Sequence, residues 1–160
     1  MRVNLMVNGR NFDIEAKGNE RLLDSLRKLG MKSVKEGCSV GDCGSCNVIV
    51  NDRLVSSCMM LSVQARGAKI VTCEGLGKED ELHPLQHALL ASAAPQCGYC
   101  IPGVLMTAKY YLDKHPKPRS EEVREMLEGN ICRCGGYTKI VEAIVAASRR
   151  IEARTTTASP

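Results

Sequence analysis

The sequence predicts an α+β protein of two units, because the spacing of its apolar residues changes along the chain. In the first half, short runs alternate apolar and polar residues, as half-buried strands do. In the second half, apolar residues recur at helical spacing. Each half also holds four clustered cysteines. We therefore expect a strand-rich unit at residues 1–76, a helical unit at 77–153 and a disordered polar tail at 154–160.

The first unit is predicted to contain strands wrapped around one helix. Alternating apolar residues flank Asn8-Gly9, a dipeptide typical of tight hairpin turns. Leucines recur at helical spacing from Leu22 to Leu29, where Gly30 ends the helix. A second hairpin is expected around Asn51-Asp52, and a last strand at residues 68–72.

The second unit is predicted to contain four helices. The first two span residues 84–93 and 102–115, the latter ending at two prolines. Ser120 is expected to cap a third helix that ends at Gly129. A fourth helix carries the apolar residues between 140 and 147.

The composition leaves little bulky core filler, with no Trp and a single Phe. Small units of this kind often need a metal or a disulfide to hold the fold. The cysteine count of nine is odd, and no segment resembles a signal peptide or a membrane span. We therefore expect a cytoplasmic protein with reduced thiols. A net charge of +4 spread along the chain does not form the dense basic stripe of a nucleic-acid site.

The first cysteine group has the spacing C-x4-C-x2-C with a fourth cysteine downstream. Its members are Cys38, Cys43, Cys46 and Cys58. This is the plant-type spacing of a [2Fe–2S] cluster, whereas zinc sites more often use C-x2-C pairs. Gly37, Gly41 and Gly44 are expected to allow positive φ angles that aim backbone N–H groups at the sulfurs. The loop has few large side chains, so we expect its cluster to lie nearer the surface.

The second group reads C-x2-C, followed much later by C-x-C. Its members are Cys97, Cys100, Cys132 and Cys134. Each pair precedes a predicted helix, and helix N-termini favour an anionic group. Spacing alone leaves an iron–sulfur cluster, a zinc ion and a structural thiol pair open for this group.

Four motifs in order give the chain a specific resemblance to a known family. They are EGC at 36–38, GDCGSC at 41–46, QCGYCIPG at 96–103 and GNICRCGGY at 129–137. From about residue 2 to residue 150, the chain resembles the iron–sulfur subunits of the molybdenum hydroxylases, the xanthine oxidase family. The resemblance implies an N-terminal β-grasp ferredoxin-like domain and a C-terminal four-helix bundle, with one [2Fe–2S] cluster on each quartet. Departures from the usual pattern are Ser45, Asn47, Ile101 and Gly135.

The resemblance also implies an electron-transfer role within a larger oxidoreductase. Electrons would pass from a molybdenum–pterin cofactor on a large subunit to the helical cluster, then to the β-grasp cluster, and then to FAD on a medium subunit. Gln96 and Cys134 would contact the pterin. A dimer of heterotrimers is expected, and the chain alone should have no turnover.

A non-catalytic metal-binding or redox-sensing protein is the alternative.

Cys73 belongs to neither quartet and is expected to be a buried structural thiol. His83 and His87 have no third nitrogen ligand nearby in sequence, so surface or packing roles are expected. Met59 and Met60 fit either the core or a partner surface.

Overall fold

The first half of the chain folds as a mixed five-stranded sheet with one helix against it. A computed structural model describes residues 1–77 and 80–157, with side chains up to Ile151. In chain order the elements are β1 (Arg2–Val7), β2 (Arg10–Glu15), α1 (Leu22–Lys28), β3 (Asn47–Val50), β4 (Arg53–Ser56) and β5 (Lys69–Val71). The strand order is β2-β1-β5-β3-β4, and only the β1–β5 pair is parallel.

Turn chemistry explains both hairpins, as the sequence predicted. Asn8 and Gly9 have φ angles of 49° and 78°, and Asn51 and Asp52 have 46° and 59°. Two successive left-handed residues make the turn whose twist matches the flanking strands, and Asn, Asp and Gly tolerate it best. The register follows, with Val7 paired to Arg10.

The core of this half lies between the sheet and α1. Alternate residues of β1 face inward, and the helix turns one apolar face towards them. The fully buried side chains include Val3, Leu5, Leu22, Leu23, Leu26 and Ile70. The helix ends as predicted, because Gly30 adopts a φ of 93° directly after the final turn.

The second half contains four helices within the described residues. They are α2 (Pro84–Ala91), α3 (Ile101–Leu112), α4 (Ser120–Met126) and α5 (Tyr137–Thr157). Their shared core includes Leu85, Leu89, Val104, Ala108, Val123, Ile140 and Ile144. No helix in residues 1–77 and 80–157 is long and apolar enough to cross a membrane.

Several helix boundaries in this half differ from the prediction. Ser120 is the first residue of α4 rather than its cap, because the Glu122 carboxylate accepts the backbone N–H of Arg119 at 2.7 Å and makes Arg119 the capping residue. The same helix ends at Met126, before Gly129. Helix α5 continues to Thr157, into the segment predicted as a tail, and residues 158–160 lie outside the described part.

The two halves meet where α3 packs on β3 and β4. A buried polar chain crosses this contact. Ser56 Oγ donates to Asn47 Oδ1 at 3.1 Å, Asn47 Nδ2 donates to Thr107 Oγ1 at 3.0 Å, and Thr107 Oγ1 donates to the Gly103 carbonyl at 3.0 Å. Because each buried group has a partner, the hydrogen bonds offset the cost of burying these polar groups, and the polar chain fixes the position of α3 on the sheet.

Candidate metal centres

The first quartet lies on the loop between α1 and β3 and on the turn after β4. Cys46 and Cys58 are buried, while Cys38 and Cys43 are half-buried. Cys58 sits on a short 3₁₀ turn, Ser57–Met59, rather than on a strand. The fold therefore brings the distant Cys58 to the loop because β4 returns the chain alongside β3.

Two backbone N–H groups donate hydrogen bonds to the sulfur of Cys38 in this quartet. The N–H groups of Val40 and Cys43 donate to Cys38 Sγ at 3.5 and 3.4 Å. These bonds, that of Val40 most of all, lower the pKa of Cys38 to about 6. Burial has the opposite effect on Cys58, whose pKa it raises to about 11, helped by the neighbouring Cys46. The loop thus favours a thiolate at its open side and keeps water from the inner side.

Two of the three loop glycines have the predicted backbone conformation. Gly41 and Gly44 have φ angles of 87° and 67°. Gly37 does not have a positive φ, so the prediction was wrong there. Glycine is needed at position 37 because there is no space for a side chain, since a Cβ on Gly37 would lie 2.6 Å from Cys43 Sγ.

The second quartet lies at the N-terminal ends of two helices, as predicted. Cys97 and Cys100 precede α3, and Cys132 and Cys134 precede α5. All four line one small cavity, together with Gln96 and Gly136 among others. The two pairs are far apart in sequence, and the fold brings together the segments that precede α3 and α5 to form this site.

Backbone donors and burial divide the thiols of the second quartet as well. The N–H of Tyr99 lowers the pKa of Cys97, and burial raises that of Cys100 to about 12. For Cys132, burial raises the pKa, but the N–H of Gly136 and other donors lower it by more than burial raises it, so the net shift is downward. Cys97 and Cys134 are exposed, which makes this quartet the more open of the two and contradicts the expectation for the first loop.

The thiols of each quartet are arranged in two pairs. In the first, Cys38 lies beside Cys43, and Cys46 lies beside Cys58. In the second, Cys97 lies beside Cys134, and Cys100 lies beside Cys132. In the described part of the chain, no three His, Cys, Asp or Glu side chains are arranged to hold one metal ion. Two thiol pairs fit a [2Fe–2S] cluster, in which two cysteines bind each iron and sulfides bridge the irons.

Gln96 lies at the rim of the second quartet. Its Nε2 donates to the Cys134 carbonyl at 3.3 Å, and both residues are exposed. The structure therefore brings together the two residues expected to contact a partner's pterin, and that contact stays a prediction.

Three contacts between the two quartets were missed from the sequence. The Ile131 N–H donates to the Cys43 carbonyl at 3.0 Å, and the Tyr99 hydroxyl donates to the Glu36 carbonyl at 2.7 Å. Asn130 Nδ2 donates to the Gly44 carbonyl at 3.4 Å. The residues lie inside or beside the cysteine motifs, but nothing in the motif spacing indicates that the two loops touch.

The remaining cysteine and the histidines have contacts within the protein. Cys73 is half-buried, burial raises its pKa, and Gln86 lies beside it. His83 Nδ1 accepts the N–H of Leu85 at the start of α2. His87 Nδ1 lies 3.0 Å from an Arg150 nitrogen.

Comparisons with known proteins agree with this two-site architecture. Residues 5–76 match a family described as a 2Fe-2S iron-sulfur cluster binding domain, and residues 72–145 match one described as a [2Fe-2S] binding domain. The nicotinate dehydrogenase small FeS subunit of Eubacterium barkeri is 47% identical, over 92% of this chain and 95% of that protein. The xanthine dehydrogenase iron-sulfur-binding subunit of Escherichia coli O157:H7 is 41% identical, over 87% of this chain and 89% of that protein.

A solved structure has the same fold over nearly the whole chain. A chain in the crystal structure of quinoline 2-oxidoreductase from Pseudomonas putida 86 superimposes with a TM-score of 0.91 at 38% identity, covering 96% of each chain. The fold and the paired cysteines define a protein with two [2Fe–2S]-binding domains. The chain belongs to the iron–sulfur subunits of the molybdenum hydroxylase family.

Proposed function

We propose that this chain carries electrons through two [2Fe–2S] clusters, from a molybdenum–pterin centre on a large subunit towards FAD on a medium subunit. The observation that carries the proposal is the placement of eight cysteines in two quartets whose loops are in hydrogen-bond contact. When bound, each cluster supplies one-electron redox chemistry. The subunit names of the relatives support a place in a multi-subunit oxidoreductase.

Each quartet is proposed to bind one cluster. The first ligand set is Cys38, Cys43, Cys46 and Cys58, and the second is Cys97, Cys100, Cys132 and Cys134. The loop N–H groups of Val40 and Cys43 would compensate the negative charge of the first site, and the buried Cys46 and Cys58 would exclude water from it. Both roles use groups that are already in place in the fold.

The domain division proposed is residues 1–76 and 77–153. The first corresponds to a β-grasp ferredoxin-like domain, supported by its mixed sheet around one helix. The second corresponds to a four-helix bundle, supported by α2 to α5 and their common core. Assembly as a dimer of heterotrimers is part of the same proposal. A cytoplasmic location is also part of it, because that compartment keeps the eight thiol ligands reduced.

Gln96 and Cys134 are proposed to face the pterin of the large subunit. Both are exposed at the rim of the second site, and an amide can donate and accept hydrogen bonds at once. The substrate is chosen on another chain, and the relatives' names span nicotinate and xanthine.

Metal analysis of the full chain, purified without air, tests the proposal. About four irons and four sulfides per chain are expected, as two [2Fe–2S] clusters require. Zinc in place of iron would refute it and favour the metal-binding or redox-sensing alternative.

A matched pair of cysteine variants tests the ligand sets. Cys43→Ser should remove one of two EPR signals from the dithionite-reduced chain, and Cys73→Ser should remove neither. Loss of both signals in a folded Cys43→Ser chain would contradict two separate sites. Loss of a signal in Cys73→Ser would contradict the assignment of the ligands.

A further inference from the structure

The two cluster loops touch at backbone level, although residues from opposite halves form them. The Ile131 N–H, next to Cys132, donates to the carbonyl of Cys43 at 3.0 Å. Apart from this one hydrogen bond, a continuous covalent path joins Cys43 Sγ to Cys132 Sγ. A second loop contact, from Tyr99 to the Glu36 carbonyl, gives a longer path, through the tyrosine ring and Gly37.

A close approach of three glycines makes this contact possible. A Cβ on Gly103 would lie 2.1 Å from the Gly44 carbonyl oxygen, and a Cβ on Gly44 would lie 2.3 Å from the Gly129 carbonyl oxygen. Both obstacles are backbone atoms, which cannot rotate away. Any side chain at Gly44 or Gly103 would therefore push the two loops apart.

The side chain of Asn130 makes a third contact with the same loop. Its Nδ2 donates to the Gly44 carbonyl, while its buried Oδ1 finds no hydrogen-bond donor among the described protein atoms. A buried acceptor without a donor lowers stability. The amide is therefore better explained by the loop contact of Nδ2 than by a gain in stability.

We propose that the hydrogen bond from Ile131 to Cys43 is the electronic contact between the two clusters, and that Gly103 is the positioning residue that permits it. The inference rests on the proposed function, since it needs both clusters. One electron passes from the reduced cluster to the oxidised one. No bond forms or breaks, and no proton moves, because the Ile131 N–H keeps its hydrogen.

Two matched pairs of variants of the full iron-loaded chain test this proposal. Ile131→Pro removes the N–H itself, and Ile131→Ala removes only an exposed side chain. Gly103→Ala forces the loops apart by about 1 Å, judged against normal contact distances. Gly129→Ala is its control, because a Cβ there meets nothing within 4 Å.

The readouts are iron content, the low-temperature EPR splitting between the two reduced clusters, and the rate of electron equilibration after a one-electron reducing pulse. We expect Ile131→Pro and Gly103→Ala to keep both clusters, to lose or narrow the splitting and to equilibrate more slowly. Both controls should match the unmodified chain.

Two outcomes would overturn the inference while leaving the proposed function intact. One is an unchanged splitting and rate in Ile131→Pro or Gly103→Ala with full iron content. The other is loss of a cluster in both variants, which would assign the contact to cluster assembly rather than to coupling. Absence of both clusters from the unmodified chain would instead refute the proposed function.

Discussion

Replacing Gly37 with Ala should remove the first cluster alone. The φ of Gly37 lies outside the left-handed region, so its backbone accepts Ala without strain. The new Cβ would lie 2.6 Å from Cys43 Sγ and 3.3 Å from Ser45 Oγ. Normal contact distances require the sulfur to move by about 1 Å. Metal–ligand distances tolerate only about 0.2 Å, so Cys43 could not bind iron from its displaced position.

Iron and sulfide analysis with EPR measures this effect. The Gly37→Ala chain should hold about half of the four irons that two clusters contain, and should show one reduced-cluster signal. Gly18→Ala is the control, because its Cβ would meet only Met1 Sδ, at an ordinary 3.9 Å. Circular dichroism establishes that both variants are folded. A Gly37→Ala chain with full iron and two unchanged signals would refute the steric reasoning.

Substitutions at three further residues separate effects on function from effects on stability. Gln96→Ala in the assembled complex should keep its iron and its reduction by dithionite, but substrate should reduce its clusters more slowly. Turnover and molybdenum content at wild-type levels would exclude Gln96 from the electron path. Loss of iron would instead make Gln96 a structural support of the cluster. Asn8→Ala should lower the free energy of unfolding by about 1–3 kcal/mol for its two hydrogen bonds to Thr72, plus about 1–2 kcal/mol for its left-handed φ. Asn8→Gly should lose mainly the contribution of the two hydrogen bonds. Equal losses of unfolding free energy in Asn8→Ala and Asn8→Gly, measured by urea unfolding, would contradict this division. The pKa of Glu20 is lowered by bonds from Lys28 and Ser25, so its contribution to stability is present above its ordinary pKa of 4.5 and lost as pH falls. In Glu20→Gln, the free energy of unfolding should therefore depend less on pH on the acid side. An unchanged dependence on pH would count against this role of Glu20.

Local chemistry explains what could be predicted from the sequence. The turns at Asn8-Gly9 and Asn51-Asp52 and the end of α1 at Gly30 depend on one or two residues with left-handed backbones. Short spacings also indicated Cys38, Cys43 and Cys46 and the two cysteine pairs of the second quartet. In each of these cases the residues concerned are neighbours in the chain, so that a pattern of a few residues is sufficient.

Contacts between distant residues explain what could not be predicted. The first quartet was expected to be the more open, but Cys46 and Cys58 are buried as part of the core of the first half, while Cys97 and Cys134 remain exposed. Ser120 was expected to cap α4, but Glu122 binds the backbone of Arg119 instead. Both outcomes depend on which of several local options the tertiary fold favours, and residue type alone does not decide between them.

Gly103 shows how one residue satisfies two demands that conflict. Glycine inside a helix costs about 1 kcal/mol relative to alanine, and Gly103 lies in the first turn of α3, where helix propensity favours alanine. An alanine there would place its Cβ 2.1 Å from the Gly44 carbonyl oxygen. The helix therefore gives up some intrinsic stability so that its N-terminal end, directly after Cys100, can reach the loop that carries Cys43. Local stability is lower at the place where the two sites must lie close together.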